Sequence, residues 1–176
     1  MTEDQKFFLP ILRELGCLRL SQVLPLLRVR EPTKKVHQAQ AMLRGLCYAG
    51  QAVAAGELVF LPELRGVPPD PARLLAVDAL LALRPRQLLQ LSARSGLYDL
   101  CFLIQRGDRL DLFAFLSILP GREDAICQAI HAEPVPYVFL LALESPEQHS
   151  LIHLSREHFF VLGQGWNGWS PKTNLR

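Results

Sequence analysis

The sequence lacks any apolar run near the roughly 18 residues that a membrane-spanning helix needs. Its longest, PYVFLLAL at residues 136–143, is far shorter. It also lacks a secretory leader pattern, because MTEDQKFFLPILREL places acids ahead of its first apolar residues. Those two absences point to a cytoplasmic protein without membrane partners. No CxxC pair and no Cys/His cluster occurs. The four cysteines (Cys17, Cys47, Cys101, Cys127) are scattered in apolar neighbourhoods and read as buried free thiols, not as a zinc site or a disulfide framework. There is no internal repeat and no low-complexity tract. What the chain does have is length and apolar content. Its 176 residues, 49% hydrophobic, are enough for a packed core in one large or two small domains.

The net charge of +2 hides an asymmetry. Residues 13–50 hold seven cations (Arg13, Arg19, Arg28, Arg30, Lys34, Lys35, Arg44) against two acids, Glu14 and Glu31, whereas residues 64–176 hold eleven of each sign. A polyanionic partner is therefore sought in the amino-terminal third. The segment PELRGVPPDP, residues 62–71, carries four prolines and a glycine and can continue neither a helix nor an interior strand. It divides the chain into a first unit over 1–63, a second over 70–163 and a tail over 164–176.

In the first unit, Phe7, Phe8, Ile11, Leu12 and Leu15 fall at helical spacing and Gly16 is the natural stop. LRL is no more than a β-bridge. Ser21 caps a short helix over QVLPLLR, VREPT is a turn, and Thr33 caps a third helix. That helix is expected to bury Val36, Gln40, Leu43, Leu46 and Cys47 and to present Lys34, His37, Gln38, Ala41 and Arg44. QAVAA-GE-LVFLP then reads as a hairpin. Three helices and a hairpin in this order predict a winged helix-turn-helix, whose third helix enters a major groove. Arg28, Arg30, Lys34, Lys35 and Arg44 are the candidate phosphate contacts, and His37 and Gln38 the candidate base readers. The wing tip, Ala54, Ala55, Gly56 and Glu57, has no cation, which sets it apart from wings that grip DNA.

In the second unit, Asp70 and Pro71 open a helix over PDPARLLAVDALLALRP. RQLLQLSA is ambiguous between helix and strand. YDLCFLIQ and LDLFAFLSIL form strands joined by RGDR, PGREDAICQAIHAE a helix, PYVFLLALE a buried strand, SPEQHSLIHL a capped helix and HFFVLG a last strand. The fold class is thus α+β: a winged helix followed by a small mixed α/β sheet.

That element order is similar to the core of the PD-(D/E)xK nucleases, which hold a metal between an Asp on one strand and a (D/E)-x-K trio on its hairpin partner. The matching positions are Asp99 and Asp111, with Glu144 nearby, but Phe113 stands where the lysine belongs, so the resemblance implies a scaffold without nuclease chemistry. His149 and His153, four apart with His158 close by, could share a metal; lacking HExxH or a neighbouring cysteine, they read as surface histidines. GQGWNGW opens no helix and is no phosphate loop. Trp166 and Trp169 read as folding back onto the domain or stacking on a partner.

Through LRLSQVLPLL, AQAMLRGLCYAGQAV, DALLAL, YDLCFLIQRGDRLDLFAFLSI and PYVFLLALES, the chain resembles the replication-relaxation family of plasmids and conjugative elements. The resemblance implies a non-enzymatic, cofactor-free accessory or regulatory protein of mobile-element replication or transfer that binds double-stranded DNA. Symmetric half-sites would suggest a homodimer. A second reading stays open: an adaptor for a relaxase or replication protein that does not bind DNA itself.

Overall fold

The computed structural model describes residues 1–93 and 96–162. Helix α1 (Glu3–Leu15) starts on a capping box, in which the Gln5 backbone N–H donates to Thr2 Oγ1 and the Thr2 N–H to Gln5 Oε1. It stops at Gly16, whose φ of +78° only glycine adopts without strain. Of the three residues expected to be a bridge, Leu18 and Arg19 belong to a true strand, β1 (Cys17–Arg19), while Leu20 opens the next helix. Helix α2 (Leu20–Arg30) begins one residue before Ser21. Arg19 takes the N-cap position and gives its backbone N–H to Gln22 Oε1. The helix also runs further than expected, because Val29 points inward; extended Glu31, held out of the helical region by Pro32, ends it.

Helix α3 (Val36–Tyr48) starts two residues later than a Thr33 cap would allow, with Lys35 at the N-cap. Strands β2 (Val53–Ala55) and β3 (Leu58–Phe60) form the expected hairpin around Gly56, which has φ +58°. Strand β1 adds antiparallel to the outer side of β3, giving a three-stranded sheet in the order β1-β3-β2.

After a single 3-10 turn (Pro62–Leu64), α4 (Pro71–Ala82) is capped by Asp70 Oδ1, which accepts from the Ala72 and Arg73 amides. Residues 86–93, ambiguous in sequence, hold β4 (Gln87–Ser92). The second sheet then takes β5 (Leu100–Arg106), β6 (Arg109–Ile118), β7 (Val138–Leu143) and β8 (His158–Leu162) in the order β4-β5-β6-β7-β8. Its first three strands are antiparallel and its last three parallel. Helix α5 (Glu123–Ala132) connects β6 to β7. The expected helix over 145–154 is a 3-10 helix, Pro146–Leu151, in which Gln148 Oε1 accepts from the Ser145 and Glu144 amides. The mixed α+β class is borne out. The tail over 164–176, with Trp166 and Trp169, lies outside the described residues.

Alternation on β5 and β6 explains the two faces of the large sheet. Leu100, Phe102, Ile104, Phe113 and Phe115 join Phe8, Leu12, Leu18, Leu27, Leu46 and Leu80 in one hydrophobic cluster, so the helices of the first unit pack on the sheet of the second. Ala114, Leu116, Phe139 and Leu141 face the other way, under Cys127 and Ile130 of α5. The two sheets fall on either side of residues 62–71, yet a single apolar core runs through both. Polar contacts reinforce the junction. Buried Gln22 donates to the Leu74 carbonyl at 2.8 Å and to Asp78 at 2.6 Å, and the Arg19 guanidinium is bonded to the same Asp78 carboxylate. Among the described residues no helix is long and apolar enough to cross a membrane.

Candidate nucleic-acid interface

Helix α3 turns Ala39, Met42 and Leu46 into the core, with Leu43 and Cys47 half-buried beside them. The buried stripe is rotated from the expected one, so Val36 (57% exposed) and Gln40 face solvent. The opposite stripe is made of His37, Ala41, Arg44 and Tyr48, all exposed. The spacing of four, three and four residues places them on one line along the helix. Tyr48 is 97% exposed, the highest among the large hydrophobic side chains of the described residues, and periodicity carried from His37 through Arg44 would have found it. The helix contains no acid.

The expected cations fall into two groups. Lys35 is exposed at the N-terminus of α3 and Arg44 is exposed in its second half; among the described residues neither forms an ion pair. Arg28 is exposed, and its Nε donates to the Lys34 carbonyl at 3.0 Å. Arg30 leans back on α1, 3.5 Å from Glu3 and 3.7 Å from Asp4, with its guanidinium 6.0 Å from the Phe7 ring centre.

Lys34 corrects the expectation of an outward cation. Its side chain, 7% exposed, turns into the notch between α1 and the α2–α3 turn, where Nζ lies 2.9 Å from Asp4 and 2.7 Å from Glu31. Hydrogen bonds to Glu31 and Asp4 hold its ammonium above the ordinary lysine range, and the two carboxylates offset its charge, so it is not an outward cation. Gln38 is a second correction. It is half-buried, and its Oε1 accepts the Lys35 amide at 2.8 Å, closing the first turn of α3, so it is not the outward side chain expected. In sequence an N3 glutamine and an exposed recognition glutamine look alike until the cap is placed.

In the second unit, the register separates the two aspartates that match a nuclease site in sequence. Asp99 precedes β5; its backbone N–H donates to Phe115 and its Oδ2 accepts from the Ser117 amide at 2.7 Å. Asp111 is opposite Ile104, near the β5–β6 turn, and is held by Arg106 at 2.7 Å and Arg109 at 3.7 Å. From Asp111 to the residues facing Asp99 is about five strand steps, roughly 17 Å at 3.4 Å each. The two carboxylates cannot share an ion. Burial pushes the Asp99 carboxyl above its ordinary range, with nearby Asp70 adding to the shift and the Ser117 bonds and Arg73 opposing it.

Neither family models, curated proteins nor solved structures give a match to the chain.

Proposed function

We propose that the first unit is a winged helix-turn-helix that binds duplex DNA through the His37–Ala41–Arg44–Tyr48 stripe of α3. The order α1, β1, α2, α3, β2, β3, with strands arranged β1-β3-β2, supports that reading. The observation that carries it is the outer face of α3: exposed, free of acids, and bounded by Lys35 at one end and Arg44 with Tyr48 at the other. At 13 residues the helix is about 20 Å long, more than the roughly 12 Å width of a major groove. Lys35 and the Arg44–Tyr48 end can then reach phosphates of opposite strands, with His37 and Ala41 between them over base edges. Arg28 lies before the helix as a further backbone contact. The second unit, a nuclease-like sheet without the metal trio, serves as a platform. The biological role that fits, on the resemblance alone, is a non-enzymatic accessory or regulator of mobile-DNA replication or transfer.

The test is a mobility shift on duplex DNA flanking the protein's own gene at two salt concentrations. Lys35→Ala and Arg44→Ala should each weaken binding to every duplex and lower the salt slope by about one. An unchanged slope would overturn the proposal.

A second reading, a protein adaptor without DNA binding, is favoured by one observation: Tyr48 and Val36 are exposed apolar groups on α3, and the adjoining wing tip, Ala54, Ala55, Gly56 and Glu57, carries no cation. Co-purification of a relaxase or replication protein, together with no shift at low salt, would decide for it.

A further inference from the structure

Among the described residues, the large sheet is polarised in charge along its strands. Asp99, Glu123, Asp124 and Glu144 gather where β5 begins and where β6 and β7 end, against Arg122 and a neutral Arg73–Asp70 pair. The opposite end, where β4 begins and the β5–β6 turn closes, carries Arg84, Arg86, Arg106 and Arg109 against Asp108 and Asp111. The ladder groups these four. The Arg86 amide donates to the Gln105 carbonyl at 2.7 Å, and Arg106 stands opposite Arg109. Two of them are engaged: Arg106 and Arg109 hold Asp111, and the Arg106 guanidinium lies 5.4 Å from the Phe113 ring centre. Arg84 and Arg86 are exposed and, among the described residues, form no ion pair. Arg84 is also the one non-glycine described residue with positive φ, +49°. Its N–H donates to the Leu81 carbonyl at 3.1 Å as α4 ends, and buried Pro85 follows. Glycine would take that conformation without a clash at Cβ, so the backbone itself does not call for arginine. An outlier of this kind points to a use for the side chain.

We propose that Arg84 and Arg86 hold a further stretch of the same duplex DNA by its phosphates, which makes the basic end of the large sheet part of the interface. This rests on the reading of α3 as a DNA-binding helix. Contacts link the two places. Leu88, two residues beyond Arg86, lines a groove together with Phe7 of α1, and the Arg30 guanidinium lies 6.0 Å from the centre of that same Phe7 ring. Arg30 ends α2, just ahead of the turn that carries Lys34 and Lys35. A row of cations therefore runs from Lys35 and Arg28 through Arg30 to Arg86 and Arg84. Its middle is neutralised, since Arg30 is shared by Glu3 and Asp4, and Lys34 by Asp4 and Glu31. Unpaired positive charge is left at the two ends of the row. A rod with one phosphate charge about every 1.7 Å along its axis can meet both ends at once, and the acidic end of the sheet is the one that such a rod would avoid.

The experiment measures binding of the full-length protein to a random-sequence duplex of about 30 base pairs, roughly 100 Å long, by fluorescence anisotropy across a salt series. The melting temperature of each variant is followed in parallel. Arg84→Gly combined with Arg86→Ala should weaken binding to every sequence alike and lower the salt slope by about two, one for each lost phosphate contact. Arg84→Gly alone should melt no lower than the wild-type protein, because it relieves the positive φ. Arg122→Ala, at the acidic end of the sheet, should leave the slope unchanged. A wild-type slope in the double variant, while Lys35→Ala and Arg44→Ala lower theirs, overturns this proposal and leaves the α3 reading standing. Slopes unchanged in all of these variants sink the α3 reading, and this proposal with it. An equal loss in Arg122→Ala overturns it as well, since the effect is then one of bulk charge. Should Arg84→Gly melt lower or fail to fold, Arg84 belongs to the fold and Arg86→Ala decides alone: a slope lowered by about one supports the proposal, and a wild-type slope overturns it.

Discussion

Lys34 Nζ sits 2.9 Å from Asp4 Oδ2, tying the turn between α2 and α3 to the first turn of α1. A lysine at 7% exposure that answers two carboxylates is a structural residue. Lys34→Ala should therefore lower stability by about 1–2 kcal/mol, since it leaves Asp4 (18% exposed) without its partner, and Glu31, at 48%, adds little. Urea denaturation measures this. The same variant should keep the wild-type salt slope on DNA, in contrast to Lys35→Ala.

Tyr48 supplies the converse case. At 97% exposure its removal costs the fold nothing measurable, so Tyr48→Ala should melt with the wild-type protein. Its affinity for duplex DNA should nevertheless drop by about tenfold, the size of one lost stacking or phosphate contact. Tyr48→Phe separates the two: retained affinity assigns the ring, lost affinity the hydroxyl.

The half-buried Asp99 carboxyl is expected to work against stability at neutral pH. Its folded-state value lies above the ordinary 3.8 because burial disfavours the anion. Stability from this group is present below the unfolded value and declines as pH rises through the folded one. Asp99→Asn, which can still accept from the Ser117 amide, should raise the melting temperature at pH 7 by roughly 2 °C, with the advantage shrinking toward pH 4. A constant difference across that range would assign the effect to packing.

Gln148, 3% exposed, is the hub of the second sheet's parallel end. It donates to the Ile118 carbonyl at 3.0 Å and to Glu123 at 2.9 Å, and accepts from Glu144 and Ser145 at 2.8 and 3.1 Å. Gln148→Ala strands several of these groups away from water and should cost about 2–4 kcal/mol by chemical denaturation.

How far the sequence discloses this molecule depends on whether the deciding signal is local. Gly16, the Ala55-Gly56-Glu57-Leu58 turn, the Asp70-Pro71 cap and the Gly107-Asp108 turn act through nearest neighbours, and each appears where expected. What is not legible depends on distant partners. Lys34 reads as a surface cation because Asp4, thirty residues earlier, is invisible to periodicity. The rotation of α3 depends on which side α1 and α2 occupy. Asp99 and Asp111 read as a pair because the turn at Gly107 is visible in sequence, whereas the register that sets their separation belongs to the ladder. The cavity lined by His131, His149, His153 and His158 needs α5, the 3-10 helix Pro146–Leu151 and β8 to be brought side by side.

The shared apolar cluster makes the helices of the first unit and the large sheet parts of one core. Thermal unfolding should accordingly give one transition for both units, and severing the chain between residues 65 and 70 should leave halves with bare greasy surfaces that precipitate. Any occupant that binds the folded chain at α3 lowers the population of the unfolded one, so amide exchange deep in the sheet becomes a remote gauge of whatever docks on the helix.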